Sequence, residues 1–343
     1  MARSTVYNQI TNEEKIKQIN PDNLTLIEDF LDYLKSVDRS PKTIAGYRSD
    51  LNIFFVWNLE HNKNKFFIKL TKREIAKFQN HAITEWNWSP KRTRRVKSVL
   101  SSLSNFIENI LDDEEEFENF RPIVRKIESP ADEAVREKTV LTDAQVELLL
   151  NTLVEKKEYE KACAVAICAF SGMRKSELLQ MRMDFFNEDH LVFGCLYKTD
   201  KIRAKGRGQL GKQINKFVMK KVDKYIDLWK QQREELGIIS DWVLVKKTKD
   251  GYVRRETVDS WTDEFSAIVN EDFYFHSLRH YVCTQLLGDY NLPSEVVREF
   301  FAWGSVEMTK IYNDRSAIDD FGKYFSAEGI IKQEDNKGFT DIK

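Results

Sequence analysis

Apolar residues return every three or four positions along most of this chain, and every second position only briefly. Between Asn23 and Val37, residues Leu24, Leu26, Ile27, Phe30, Leu31 and Leu34 share one helical face. Ser40-Pro41 supplies an N-cap and a first-turn proline for a second helix, which turns Ile44, Tyr47, Leu51, Phe54 and Phe55 inward. Thr71 with Glu74 three residues on reads as a capping box, opening a third helix that runs to about Trp86. Ser89-Pro90 opens a fourth, with Val96, Leu100, Leu103, Phe106, Ile107 and Ile110 along one side. The pattern predicts a bundle of helices over 21–112, preceded by a flexible arm, 1–20.

The periodicity lapses over 113–138, where acidic residues and two prolines predict a linker. It resumes near Thr139. Leu141-Thr142-Asp143-Ala144 opens a helix, Tyr159 to Phe170 is an apolar helix of small residues, and Lys175 to Arg182 reads as another. His190 to Leu196 alternates, as Gln213 to Met219 partly does, with glycine-rich basic sequence between them, so a small antiparallel sheet is expected. Helices follow over 222–229, 257–269, 276–287, 293–301 and 306–312. The fold class is therefore mainly α with a small antiparallel β-sheet: an N-terminal helical bundle, an α+β second domain over 139–330, and a polar tail over 331–343.

At 343 residues the chain is long enough for two cores. No apolar run approaches a membrane span and the N-terminus lacks the apolar stretch of a signal peptide, so a cytoplasmic protein with no membrane partner is expected. The four cysteines (Cys163, Cys168, Cys195, Cys283) show neither Cys-x-x-Cys spacing nor a nearby histidine pair, and read as buried, reduced thiols. A net charge of −1 argues, as a total, against a nucleic-acid partner. Its distribution argues the other way. Lys91 to Lys97 reads Lys-Arg-Thr-Arg-Arg-Val-Lys, and Lys198 to Lys224 holds ten Lys/Arg against two Asp, while the acidic residues gather in 112–118 and 132–137. A chain neutral overall can still neutralise phosphates along one surface.

Four features carry candidate chemistry. Arg174 lies just past Gly172 with Glu177 three residues on: either a surface ion pair, or a guanidinium aimed at phosphate and held by a carboxylate. His276 and Arg279 stand one helical turn apart, with His280 beside them. They are either structural or the proton acceptor and second positive fork that phosphoryl transfer needs. Trp303 offers an indole N–H, which only donates. Tyr312, nine residues later, is either a core aromatic or a nucleophile. No metal-ligand cluster accompanies them, and no cofactor is called for.

Taken in order, these residues resemble the tyrosine recombinases, the family of phage integrases, Xer and Cre. Ser171-Gly172-Met173-Arg174-Lys175-Ser176-Glu177-Leu178 matches the family's Thr-Gly-Leu-Arg-x-Ser-Glu-Leu; His276 to His280 matches His-x-x-Arg-His; and Phe301-Ala302-Trp303 through Tyr312 matches Leu-Gly-His-x8-Tyr, with Trp in place of the usual His, as in Cre-type members. The resemblance implies a SAM-like core-binding domain followed by a catalytic domain, together clamping duplex DNA at specific recombination sites. It implies a metal-independent strand transferase in which Tyr312 forms a 3′-phosphotyrosyl link, Arg174 and Arg279 neutralise transition-state charge, Glu177 orients the site, and His276 and Trp303 donate or relay. A hairpin lysine would protonate the leaving 5′-oxygen: Lys205 is favoured, with Lys198 the competitor. Lys42, Thr43, Lys91, Arg92, Arg94, Arg95, Lys198, Lys201, Arg203 and Arg207 are the expected DNA contacts. A homotetramer on two sites is implied, with the apolar stretch Asp314 to Phe325 docking onto a neighbour or folding as an intramolecular helix. The alternatives are a catalytically silent DNA-binding or architectural protein and a type IB topoisomerase.

Overall fold

The computed structural model describes residues 10–131, 139–204, 211–246, 253, 255–312, 325–326 and 329–330, with side chains through Thr309. The chain divides into two compact units, the first mainly residues up to Glu137 and the second residues Lys138–Lys205 and Lys212–Lys343.

The first unit is helical. After a short helix α1 (Glu13–Lys17) come α2 (Pro21–Ser36), α3 (Pro41–His61), α4 (Lys72–Thr84) and α5 (Pro90–Ile110). Their starts follow the local chemistry. Ser40 and Ser89 accept the N–H groups of Thr43 and Arg92, each with proline at the first helical position, and Thr71 and Glu74 form the reciprocal capping box. The core is dense in aromatics: Phe30, Phe54, Phe55, Phe67, Phe78 and Trp57 are buried, and Phe54 meets Phe78 edge to face at 5.0 Å. Two expectations differ here. Part of the expected flexible arm is α1, capped by Asn12, with Ile10 and Ile19 buried in the same core. The first half of the expected linker also folds against it, because Phe117 and Val124 bring apolar anchors that an acidic average conceals.

The second unit holds α6 (Asp143–Glu155), α7 (Tyr159–Ala169), the one-turn helix α8 (Lys175–Leu178), strands β1 (Leu191–Val192), β2 (Leu196–Lys198), β3 (Ile202–Ala204), β4 (Lys212–Ile214) and β5 (Phe217–Met219), then α9 (Asp223–Glu235), α10 (Arg255–Asp259), α11 (Thr262–Val269), α12 (Phe275–Thr284), α13 (Ser294–Phe301) and α14 (Glu307–Tyr312). A last strand pair joins β6 (Phe325–Ser326) to β7 (Gly329–Ile330). Every residue of α7 from Ala162 to Ala169 is buried, and α6, α9 and α12 pack around it. Small side chains allow that approach on all sides.

The β segments differ from their alternating pattern in an instructive way. His190 to Leu196 is not one strand: the chain reverses through Phe193 and Gly194, both at positive φ (54° and 67°), so alternation continues across a turn. Gln213 to Met219 splits at Asn215-Lys216, because β4 pairs only with β3 while β5 crosses to β2. Lys175 to Arg182 stops as a helix at Leu178; Gln180 then exchanges hydrogen bonds with the Arg203 backbone at 2.9 Å each way, tying β3 to this turn. Cys195, expected to be buried, is exposed next to the β1–β2 turn; the other three thiols are buried.

Candidate active site

Arg174 is the N-cap of α8, and its surroundings are built from three distant parts of the second unit. Its backbone N–H and its Nη1 both donate to the carboxylate of Glu177, at 2.9 and 3.0 Å. This is not a surface pair. The Glu177 side chain is 1% exposed and that of Arg174 29%, so the carboxylate is held inside while the guanidinium reaches out. Burial alone would raise the Glu177 pKa, but Lys216, the Arg174 backbone and the Arg174 and Arg279 guanidiniums together hold it below the ordinary carboxylate value.

Arg279, on α12, is fully buried. Its Nη1 donates to the Gly172 carbonyl at 2.5 Å, and its guanidinium lies 4.6 Å from the ring of Phe301 and 5.1 Å from that of Trp303. Phe301 and Trp303 stack on each other at 4.4 Å and 16°. The chain turns between them at Ala302, which holds a left-handed φ of 54°. Gly172 also sits at positive φ (58°), and a Cβ there would come within 2.3 Å of the Phe301 ring. Glycine is thus required twice over, by conformation and by contact.

His276 is half-buried one turn before Arg279, its ring 5.5 Å from that of His280. Burial first, then the neighbouring His280, Arg279 and Arg174, lower its pKa to about 4, so the imidazole is neutral near pH 7 and free of a proton at one nitrogen. Tyr312 ends α14, which packs against α12 and α13, the elements that carry Arg279 and lead to Trp303. The side chain of Tyr312 lies outside the described residues, as do Lys205, Arg207 and the stretch from Asp314 to Tyr324.

Lys198 is exposed at the end of β2, Lys201 is exposed just before β3, and Arg203 is exposed within it. In the first unit Lys42 and Lys91 are exposed, while Thr43 is half-buried with its hydroxyl 2.8 Å from that of Ser40. Arg92 and Arg95 do not simply project from α5 as the basic run suggests. Both converge on Asp50 of α3, at 2.6 and 2.9 Å, and the Asp50 side chain is only 3% exposed.

Three residues that matter to this geometry escaped the sequence reading: Asp50, Phe301 as a packing platform, and Lys216. Asp50 and Lys216 each sit in an otherwise apolar or basic stretch and act on residues far away in the chain, so no local spacing marks them. Phe301 belongs to a motif segment but reads as a plain core aromatic.

A helical scaffold with a small hairpin thus brings two guanidiniums, a neutral imidazole and an indole together from separate segments. The chain belongs to the phage integrase family: residues 139–317 match that family's model, and residues 26–116 match the N-terminal SAM-like domain of phage integrases. It is similar to the SPbeta prophage-derived recombinase-like protein YomM of Bacillus subtilis (25% identical, covering 76% of this chain and 75% of that protein). It is also similar to a tyrosine recombinase of Thermosipho africanus (26% identical, covering 84% and 94%). Among solved structures it shares the fold of the XerH recombinase in a post-cleavage complex (TM-score 0.65, 16% identical, covering 89% and 96%) and of a lambda integrase dimer on a core site (TM-score 0.60, 16% identical, covering 89% and 81%). No helix among the described residues is long and apolar enough to cross a membrane.

Proposed function

We propose that this recombinase cuts and rejoins duplex DNA at specific sites with Tyr312 as nucleophile and Arg174, Arg279, His276 and Trp303 as the groups around the scissile phosphate. The observation that carries the reading is the convergence of Arg174 and Glu177 with Arg279 and Trp303, which lie more than a hundred residues further along the chain. Packing alone has little use for two guanidiniums at one spot, whereas a pentacoordinate phosphate needs them.

In this mechanism the Tyr312 phenol, with an ordinary pKa of about 10, gives its proton to neutral His276 as its oxygen attacks phosphorus. The bond to the 5′-oxygen breaks, and that oxygen takes a proton from a hairpin lysine, Lys205 or Lys198. The 3′-phosphotyrosyl link conserves the bond energy. Attack by a 5′-hydroxyl of the partner strand reverses the step, so no nucleotide cofactor is consumed. Trp303 contributes as a donor and as a flat support for Arg279. The outward lysines and arginines of α5 and the hairpin supply sequence-independent phosphate contacts. Solved relatives include a dimer on a core site and a tetramer on a Holliday junction, which supports a tetramer on two DNA sites for this chain as well. A DNA-acting enzyme without a described spanning helix fits the cytoplasm.

The test is a nicked suicide duplex drawn from the DNA flanking the gene. The expected result is a protein–DNA adduct of increased mass that resists denaturant and is lost in Tyr312→Phe. A silent DNA-binding protein would hold the same duplex without any adduct. Relaxation of supercoiled plasmid with no exchange of strands between two sites would instead point to the topoisomerase.

A further inference from the structure

Lys216 is a lysine with no exposed surface, between the hairpin and the buried Glu177 of the site. It occupies the crossing between β4 and β5. Its backbone is locked there: its N–H donates to Thr199 Oγ1 and its carbonyl accepts from Thr199 N–H, both at 2.9 Å. Its Nζ donates to the Phe301 carbonyl at 3.3 Å and lies 3.8 Å from Glu177 Oε2 and 5.8 Å from the Phe301 ring centre.

Stability does not explain an ammonium in this position. Burial disfavours its charge, and two guanidiniums, Arg279 and Arg174, oppose it further; Glu177 favours it, and Cys168 faces it from α7. The balance leaves the pKa at about 7, far below an ordinary lysine. An apolar side chain of the same length would fill the space at less electrostatic cost. The three groups that Lys216 joins give the reason for it. Glu177 orients Arg174, Phe301 ends the helix that leads to Trp303, and Thr199 follows Lys198 at the base of the basic hairpin.

We propose that Lys216 is a positioning residue that couples the β3–β4 hairpin to Arg174, through Glu177, and to Trp303, through the end of α13. It rests on the reading of Arg174 and Trp303 as site residues given above. With its ammonium in place, the carboxylate and the helix end are held against one centre and the two phosphate-facing groups keep their spacing. Without it, Glu177 keeps only Arg174, and the hairpin holds the α8 segment only through the Gln180–Arg203 hydrogen bonds and the end of α13 not at all through this centre.

The experiment compares the full-length chain with Lys216→Met and Lys216→Arg on the same suicide duplex across pH 6–9, alongside duplex affinity and melting temperature. For Lys216→Met the expected result is unchanged duplex affinity and an equal or higher melting temperature at pH 6.5, with adduct formation at least tenfold slower. The unsubstituted chain should show a fall in rate above about pH 7 as Lys216 deprotonates, superimposed on the rise from Tyr312 ionisation. Lys216→Met should lack that inflection, and Lys216→Arg should recover part of the rate without it. Adduct formation by Lys216→Met at the original rate and with the original pH profile would overturn the proposal. So would a lowered melting temperature with both variants equally inactive. Absence of an adduct from the unsubstituted chain would overturn the reading of Tyr312, and the role of Lys216 with it.

Discussion

The backbone N–H and the guanidinium of Arg174 grip the same buried carboxylate, Glu177, from two directions at 2.9 and 3.0 Å. A side chain held at both its root and its tip presents a fixed fork. Glu177→Gln keeps the shape but removes the charge that fixes the guanidinium and offsets Lys216. We expect adduct formation to slow by about ten- to a hundredfold, the equivalent of one disrupted buried charge-assisted bond, with duplex affinity within about twofold. Single-turnover cleavage and an equilibrium binding titration separate the two, and an unchanged cleavage rate would show that Glu177 is a bystander.

His276 gives the second unit a distinctive acid response. Its folded pKa, about 4, lies below the ordinary histidine value of 6.5, so between those limits the unfolded chain binds more protons than the folded one. Stability is free of this penalty above pH 6.5 and declines as pH falls from 6.5 to 4. His81 in the first unit is also shifted down, chiefly by burial, so whole-chain acid unfolding alone is ambiguous. The comparison is His276→Asn against the unsubstituted chain by urea unfolding at pH 7 and pH 5. The difference in stability between the two pH values should be smaller in the variant.

Two backbone positions beside the site should respond to opposite substitutions. Gly172→Ala places a methyl group at positive φ and inside the Phe301 ring, which must displace the platform under Arg279 and Trp303. A destabilisation of about 1–3 kcal/mol is expected, with loss of cleavage. Ala302 already bears the left-handed strain at its φ of 54°. Ala302→Gly should relieve about 1 kcal/mol and raise the melting temperature of this unit by about 2–4 °C. Scanning calorimetry checks both, and a neutral Gly172→Ala would contradict the packing described.

Asp50 sets the net charge that Arg92 and Arg95 of α5 carry with it. One carboxylate between Arg92 and Arg95 leaves the trio with a single net positive charge, and Asp50→Asn leaves two. If these arginines face phosphate, the log–log dependence of mixed-sequence duplex affinity on salt should steepen by about one, with tighter binding at low salt. Fluorescence anisotropy at several salt concentrations measures the slope. A slope unchanged or shallower would place Arg92 and Arg95 away from the DNA.

Much of the architecture could be read along the chain because it is local. Ser40-Pro41, Ser89-Pro90 and the Thr71–Glu74 box satisfy N–H groups three residues away, so their helix starts were legible. The β segments were less so. Alternation passes unchanged through the Phe193-Gly194 turn and through the sheet change at Lys216, since side-chain period does not reveal which strand a residue pairs with.

The sequence by itself determined most of the longer helices of both units, the Arg174–Glu177 spacing, the His276–Arg279 turn and the order of residues that marks the family. Those depend on separations of a few residues, or on motif order alone. Only the tertiary structure decided that Glu177 is buried rather than on the surface, that Phe301 supports Arg279 and Trp303, and that Lys216 and Asp50 hold their partners. Lys216 meets Phe301 across 85 residues of chain, and Arg95 meets Asp50 across 45. At such separations no period or cap constrains the pairing. Desolvation decides it, by leaving each buried charge only those partners that the packed cores bring within reach.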